Sequence, residues 1–334
     1  MNDWLQELAK ERLTPRQTAD SPRDFFTSLD QLGHITFSGD DAATFLHNQL
    51  TNDVEHLGTD QARLAGYCSP KGRLLASLLI WRSADTVTLQ LPRVLQAAIQ
   101  KRLQMYVLRA KVKVADINEE TVALGFAGTS AAAVLRHWFA GLPAACYDKV
   151  DAPAGTLIRL ADANDLPRWQ WITTKSIASE ALPTLCNELT LADAARWRLT
   201  DIVAALPQIT LATQEKFVPQ MINFEAIGGV NFKKGCYPGQ EIVARSQYLG
   251  TLKRRMLPAS VDAALVEPGM EVFAAADAAQ PCGMIVNAER DADGRVQCLV
   301  EVKLAAHAAG NIHLGADGPV LQFSALPYPL PDAA

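Results

Sequence analysis

The sequence lacks the features of a membrane, secreted or disulfide-built protein. No apolar run in the 334 residues approaches the roughly 18–20 residues that span a bilayer, and the first residues, MNDWLQELAKERLTPRQ, mix acids and bases without the apolar stretch of a secretory signal. The six cysteines are at least 16 residues apart, which excludes a CxxC zinc or redox pair and is too sparse for a disulfide scaffold. Scattered thiols without an export signal predict a reducing cytoplasm.

Several common catalytic signatures are also missing. The chain contains no P-loop, no GxGxxG after a strand and no GxSxG. Its six histidines show no HxxxH or HxH pairing, so no metal site is assigned. The formal net charge of -5 excludes a general nucleic-acid coat protein, because a polyanion would need a local basic patch.

Two basic stretches stand out against this acidic background. Between Arg93 and Lys113 there are six bases and no acid, and between Lys233 and Arg255 there are six bases and one acid. If the two stretches fold together, they form a face that attracts an acidic ligand tail or a nucleic-acid backbone. If they do not, they are separate solvated faces, which the sequence alone slightly favours.

Hydrophobic periodicity divides the chain into an N-terminal arm, two αβ regions and a C-terminal β region. One αβ pattern begins near residue 22 and a second near 121, and short alternating segments separated by Gly, Pro, Asn and Asp fill the region from about 255. These short segments predict a small antiparallel barrel. A helix is predicted over 130–141, closed by Gly141, and another over 192–206, entered through a capping box from Thr190 to Asp193.

The densest unusual stretch is NFKKGCYPGQE at 231–241, with Cys236 near its centre. The Pro-Gly pair at 238–239 suits a type II turn, because proline pre-sets φ and glycine supplies a positive φ, and Gly235 adds a second point of backbone freedom. The preceding lysine pair favours a thiolate. Cys236 is therefore a candidate reactive thiol, provided that it is exposed; the alternative is a buried small hydrophobe in a structural turn.

Two further features are weaker candidates. Trp197 lies between two arginines in a predicted helix, where an indole can stack on a flat heteroaromatic ligand, although core packing is the commoner role of a single tryptophan. Glu241 and Arg245 are spaced i, i+4, so they can pair on a helix, which is more often a solvated face than a site.

The octapeptide KGCYPGQE at 234–241 resembles the K-G-C-[FY]-x-G-Q-E signature of the YgfZ family. These are folate-binding proteins related to the T protein, or aminomethyltransferase, of the glycine-cleavage system. Supporting similarities are QLTNDV at 49–54, which resembles the family's early Q-x-T-x-D-V stretch, GGVNFKK at 228–234, EIVAR at 241–245 and LPY at 326–328. The similarity covers most of residues 25–330.

The resemblance implies an α+β fold: a T-protein-like three-part ring with two αβ domains and a C-terminal antiparallel β-barrel around a folate-sized hole. We therefore expect an N-terminal arm at 1–21 and a central αβ folate-binding domain at 22–120 plus about 192–250. A second, ferredoxin-like αβ domain is expected at 121–191 and the small β-barrel at 255–330.

The function implied by the resemblance is folate-dependent support of the assembly or repair of iron–sulfur enzymes, including those that modify tRNA. The expected cofactor is tetrahydrofolate or a derivative. Carried over by position, Cys236 is the functional thiol and Trp197 contacts the folate, whereas a second folate-contacting tryptophan of some members falls at Leu32, which does not match. Further candidate folate-binding residues from the signature and its continuation are Lys234, Tyr237, Gln240, Glu241 and Arg245.

Two carboxylates of the transferase relatives are not matched. Ser77 stands where they carry a catalytic aspartate, and Val203 where they carry a glutamate. Neither side chain supplies the acid–base and electrostatic work of transfer chemistry, so we expect aminomethyl transfer to be absent.

Three other functions remain open beside the one that the resemblance implies. The alternatives are a true one-carbon (aminomethyl) transferase, a tRNA-binding module that uses the basic stretches, and a scaffold that binds a partner protein without folate. No RNA-binding motif appears, so direct tRNA binding ranks below the others. The expected partners are iron–sulfur enzymes or cluster-assembly proteins. The protein itself is expected to be monomeric and cytoplasmic, without membrane contact.

Overall fold

The computed structural model describes residues 23–248 and 252–331, and the arm predicted at 1–21 lies outside the described residues. The strands are β1 (Phe25–Ser28), β2 (Leu32–Ser38), β3 (Ala62–Cys68), β4 (Leu74–Ser83), β5 (Thr86–Pro92), β6 (Lys113–Asp116), β7 (Thr121–Ala127), β8 (Lys149–Ala152), β9 (Gly155–Ala163), β10 (Leu166–Thr174), β11 (Thr190–Leu191), β12 (Arg254–Val261), β13 (Glu271–Ala274), β14 (Asp277–Arg290), β15 (Val296–Lys303), β16 (Ile312–Leu314) and β17 (Gln322–Phe323). The α-helices are α1 (Ala42–His47), α2 (Arg93–Val107), α3 (Thr129–Leu135), α4 (Lys175–Glu188), α5 (Ala194–Val203), α6 (Gln240–Tyr248) and α7 (Leu304–Ala309), and Pro219–Ile222 forms a 3₁₀ helix.

The described chain divides into two compact units. The first contains residues 23–43, 56–63 and 79–200, and the second contains residues 44–55, 64–78 and 201–331. Four of the five boundaries fall within α1, β3, β4 and α5, and the fifth lies between residues 55 and 56, outside any helix or strand. Each unit is therefore built from segments that are distant in the sequence. The predicted domain boundaries near 22, 121, 192 and 255 stay predictions.

The first unit contains a six-stranded sheet and an antiparallel group that includes β5, β2 and β6. The sheet has the strand order β11-β1-β7-β10-β9-β8, and its core contains the fully buried Phe126 and Trp171. Helix α4 covers this core with apolar residues at 178, 181, 182 and 185, the i, i+3, i+4, i+7 spacing of one helix face. In the antiparallel group, residues 79–83 of β4 pair with β5, β5 with β2, and β2 with β6.

The second unit contains the C-terminal sheet. Its six strands have the order β16-β13-β14-β15-β12-β17 and form a curled, antiparallel half-barrel around a core of valine and isoleucine side chains. The hairpin between β14 and β15 turns at Gly294, whose φ is +82°, and the N–H of Asp291 donates to the carbonyl of Arg295 at 2.8 Å. The α+β class and the antiparallel C-terminal region are thus confirmed.

Two predicted helix ends differ in the structure. Helix α3 ends at Leu135 rather than at Gly141, because the next three backbone N–H groups bond to carbonyls three positions earlier and tighten the chain into turns. Helix α5 is capped by Asp193, whose side chain accepts from the N–H of Arg196 at 2.9 Å, whereas Thr190 belongs to strand β11. Within residues 23–248 and 252–331, no helix has the length and apolar character needed to cross a membrane.

Candidate functional site around Cys236

Cys236 is exposed on the loop that leads into α6. The predicted Pro-Gly turn is present: Gly239 has a φ of +80°, and the N–H of Gln240 donates to the carbonyl of Tyr237 at 3.2 Å. Gly235, the second point of backbone freedom in the sequence, does not have a positive φ. The predicted turn is therefore present, and the exposure that a reactive thiol at Cys236 requires is met. The chemical role of the thiol stays a prediction.

The Cys236 loop is seated on a second turn of the same unit, at residues 69–72. That turn is closed by the N–H of Gly72, which donates to the carbonyl of Ser69 at 2.9 Å. A Cβ atom at Gly239 would lie 2.6 Å from the Cα of Gly72 and would overlap the carbonyl oxygen of Ser69. Glycine at 239 is therefore required both by the positive φ and by the close approach of two backbones.

Lys234 ties the Cys236 loop to the segment after α1. Its ammonium donates to the carbonyls of His47 and Leu50, the second at 2.9 Å, and lies 4.9 Å from the centre of the Tyr237 ring. Burial lowers the pKa of Lys234 to about 8, against the opposing effect of nearby negative groups. Because its N–H groups donate to protein carbonyls, Lys234 has a structural role in this loop. Its predicted contact with folate stays a prediction.

The QLTNDV stretch anchors the approach to the signature. The hydroxyl of Thr51 donates to the carbonyl of Gly229 at 2.6 Å and accepts from the N–H of Gly66 at 2.7 Å. The amide of Asn52 donates to the carbonyl of Gly228 at 2.7 Å. These buried side chains satisfy backbone groups far away in the sequence, so the QLTNDV stretch holds the backbone that leads into the signature.

A histidine that the sequence analysis did not single out lies beside the Cys236 loop. The Nδ1 of His47 is 3.0 Å from Oδ1 of Asp53, and Oε2 of Glu55 is 3.9 Å away. The His47 side chain is 8% exposed, and a Cβ atom at Gly235 would lie 3.5 Å from its Nε2. The available signal was weak: a histidine two positions before the QLTNDV stretch.

Tyr237 and Cys68 are buried within the second unit. Burial raises the pKa of the Tyr237 phenol, and its hydroxyl has no hydrogen-bond partner among the described residues. Burial also raises the pKa of the Cys68 thiol to about 12, so this thiol stays protonated and inert. Cys236 differs from it in being open to solvent.

Helix α6 places Gln240, Glu241 and Arg245 at or near the surface. Arg245 and Glu241 form the predicted i, i+4 pair, 3.7 Å apart, with exposed side chains. Solvent screens such a pair strongly, which fits a solvated face. Folate contacts by these three residues stay predictions.

Trp197 lies in the interior of the first unit. The residue is 2% exposed, a Cβ atom at Gly125 would lie 2.6 Å from its ring, and the guanidinium of Arg168 lies 5.1 Å from the ring centre. Leu32, at the position of the second tryptophan, is buried and aliphatic. In this arrangement neither residue offers an open aromatic face, so a pteridine contact at Trp197 requires neighbouring side chains to move.

The two positions without the transferase carboxylates have ordinary structural surroundings. The hydroxyl of Ser77, in β4, accepts from the N–H of Ile209 at 3.0 Å, and Val203 ends α5 half-buried. Among the residues that the structure describes, no three His, Cys, Asp or Glu side chains gather as a metal site.

Comparison with known proteins defines the class of protein. The family described as GCVT N-terminal domain matches residues 26–146. The solved structure of glycine cleavage system aminomethyltransferase T from Bartonella henselae has a TM-score of 0.70 to this chain at 17% identity, and the match covers 92% of this chain and 86% of that chain. The chain therefore has the fold of the GCVT class.

Curated relatives then identify the family. The tRNA-modifying protein YgfZ of Enterobacter sp. (strain 638) is 32% identical over 95% of this chain and 97% of its own length. The protein of the same name from Klebsiella pneumoniae (strain 342) is 32% identical over 96% and 98%. That from Escherichia coli (strain K12 / DH10B) is 31% identical over 95% and 97%. This chain belongs to the family of the tRNA-modifying protein YgfZ, which confirms the resemblance seen in the signature.

Proposed function

We propose that the protein is a cytoplasmic accessory protein that supports the assembly or repair of iron–sulfur enzymes, including those that modify tRNA. The observation that carries the proposal is the exposed thiol of Cys236, held on a loop whose backbone is seated on the 69–72 turn and tied down by Lys234. The name of the curated relatives supports the connection to tRNA modification.

A single cysteine restricts what the thiol can do. It can act as a nucleophile, as a redox thiol or as a transient ligand of a cluster. It cannot hold a cluster alone, because iron–sulfur sites normally need about four protein ligands. Any cluster contact is therefore shared with a partner enzyme or cluster-assembly protein, or is momentary.

The proposal includes tetrahydrofolate or a derivative as a bound cofactor. The fold shared with an aminomethyltransferase supports this part. Exposed bases within either basic stretch, such as Lys101 and Arg109 or Lys253, would attract a negative glutamate tail. The enclosed ring of Trp197 does not fit a stacking contact as the residues stand. Folate is accordingly assigned a binding role and no chemical step.

Folate binding is tested by calorimetric titration with tetrahydrofolate. Phenylalanine is the informative replacement of Trp197, because alanine at a buried tryptophan costs about 3–5 kcal/mol of stability through the cavity it leaves. The matched control is Trp169→Phe, since Trp169 is also buried and packed under an arginine. The proposal predicts binding by the native protein. A several-fold loss of affinity in Trp197→Phe only would show that the neighbouring side chains move and open the Trp197 ring to the ligand. No binding by the native protein would remove folate from the proposal, and equal affinities would remove the Trp197 contact.

The supporting role is tested in a bacterial strain that lacks its own YgfZ. This chain is expected to restore the products of iron–sulfur enzymes that modify tRNA, measured as modified nucleosides in digested tRNA. The strain's own protein is the positive control, and an immunoblot shows that both are produced. Normal accumulation of this chain without recovery of the modified nucleosides would contradict the proposal.

A further inference from the structure

His47 has one ring nitrogen engaged and the other available. Its Nδ1 lies 3.0 Å from the Asp53 carboxylate, in a side chain that is 8% exposed. Since a carboxylate only accepts hydrogen bonds, Nδ1 carries the proton of the neutral ring and Nε2 carries the lone pair. Among the described residues, no hydrogen bond to Nε2 occupies that lone pair, so the Cys236 thiol has to move into hydrogen-bond distance before it can donate its proton there.

The lone-pair nitrogen faces the Cys236 loop. A Cβ atom at Gly235 would be 3.5 Å from Nε2, so Nε2 lies against the residue that directly precedes Cys236. The glycine has no side chain that would come into contact with Nε2. The ammonium of Lys234 lies within electrostatic range of Cys236, Asp53 and Glu55, so these groups belong to one cluster in the second unit.

We propose that His47, oriented by Asp53, accepts the proton of the Cys236 thiol and so activates its sulfur. In this step the S–H bond breaks, its electron pair stays on Sγ as a thiolate, and the proton forms a bond to Nε2. The resulting imidazolium keeps its Nδ1–H directed at Asp53. The inference deepens the proposed function and rests on the functional role assigned there to Cys236.

The charges around the cluster fit the two ions that the step creates. Asp53 and Glu55, on the segment that follows α1, lie on the Nδ1 side of the ring and stabilise an imidazolium. The ammonium of Lys234, on the signature loop, stabilises a thiolate. Lys234 is not the proton acceptor in this arrangement, because its N–H groups are donated to the carbonyls of His47 and Leu50.

The test is the pH dependence of Cys236 alkylation by iodoacetamide, read by mass spectrometry of the peptide that contains Cys236. The variants are His47→Gln and Asp53→Asn, and the matched control is His56→Gln, an exposed histidine of the same stretch. Cys146, which is also exposed, serves as an internal reference thiol. Circular dichroism shows whether each variant is folded. If His47→Gln is unfolded, the result for Asp53→Asn decides the outcome.

The measured quantity is the ratio of the alkylation rate at pH 7 to that at pH 9.5. If His47 accepts the thiol proton, His47→Gln should lower this ratio by about five-fold or more relative to the native protein, because the sulfur then loses its base. Asp53→Asn should shift the ratio in the same direction, and His56→Gln and the Cys146 peptide should not change. A native ratio in folded His47→Gln or Asp53→Asn would overturn the inference. A lowered ratio in His47→Gln, together with full recovery of the modified tRNA nucleosides by that variant in cells, would support the inference and count against the proposed use of the thiol.

Discussion

Replacing Gly239 by alanine tests the backbone arrangement on which the Cys236 loop depends. At φ +80° an L-residue pays a conformational penalty of about 1–2 kcal/mol. The added Cβ would also lie 2.6 Å from the Cα of Gly72, a backbone atom that cannot rotate away. Overpacking of this kind costs about 1–3 kcal/mol, so Gly239→Ala should lower the free energy of unfolding by about 2–5 kcal/mol.

Two other glycines of the second unit separate these contributions. Gly294 has a similar φ of +82° with nothing within 4 Å of a Cβ, so Gly294→Ala should show the conformational penalty alone. Gly235 has no positive φ and only an ordinary contact at 3.5 Å, so Gly235→Ala should change stability by less than about 1 kcal/mol. The expected order of destabilisation is Gly239, then Gly294, then Gly235.

The assay is urea unfolding followed by circular dichroism, with the midpoint and slope fitted for each variant. Gly239→Ala should in addition change the alkylation rate of Cys236, because the loop must move off the 69–72 turn. Equal stability of Gly239→Ala and Gly235→Ala would refute the close seating of the loop on that turn.

Two further predictions concern charged groups. The pKa of Lys234 is about 8 in the fold against 10.5 in the unfolded chain, so the unfolded state binds more protons between these pH values. This group therefore makes the native protein gain stability as the pH rises from about 8 to 10.5. Urea midpoints across this range should rise less steeply for Lys234→Met than for the native protein, and equal slopes would contradict the lowered pKa. Arg255 and Glu225 form a buried ion pair, and burial raises the pKa of Glu225. Arg255→Met should therefore lower the free energy of unfolding by about 3–5 kcal/mol at pH 7 and by less at pH 5, where the carboxyl is more protonated. Thermal melts at both pH values check this, with Lys253→Met at an exposed position as the control, and an equal loss at pH 5 would argue against an unpaired carboxylate as its source.

Much of the secondary structure could be predicted because its signals are local. The alternation over β2 and β5, the apolar run of β4, the amphipathic pattern of α2 and the turn at Gly294 are each determined within about 15 residues. The end of α3 could not be predicted, because no strong stop signal follows Leu135 in the sequence. The change to i→i−3 hydrogen bonds there depends on tertiary packing.

The candidate site was predictable as a motif but not as an arrangement. The octapeptide indicated Cys236 and the Pro-Gly turn from chemistry and φ preferences alone. The bonds of Thr51 and Asn52 to Gly229 and Gly228 join residues almost 180 positions apart, and no local pattern carries that information. For Trp197 the local sequence was misleading. The flanking arginines suggest a ligand contact, but only the tertiary packing shows that the side chain is enclosed.

The most direct measurement of the central claim is the recovery of modified tRNA nucleosides by Cys236→Ala in a strain that lacks its own YgfZ. The matched control is Cys146→Ala, which removes the other exposed thiol of the described residues. The account predicts normal accumulation of both variants, loss of recovery with Cys236→Ala, and full recovery with Cys146→Ala. Recovery by Cys236→Ala equal to that of the native protein would contradict the claim that this thiol carries the function.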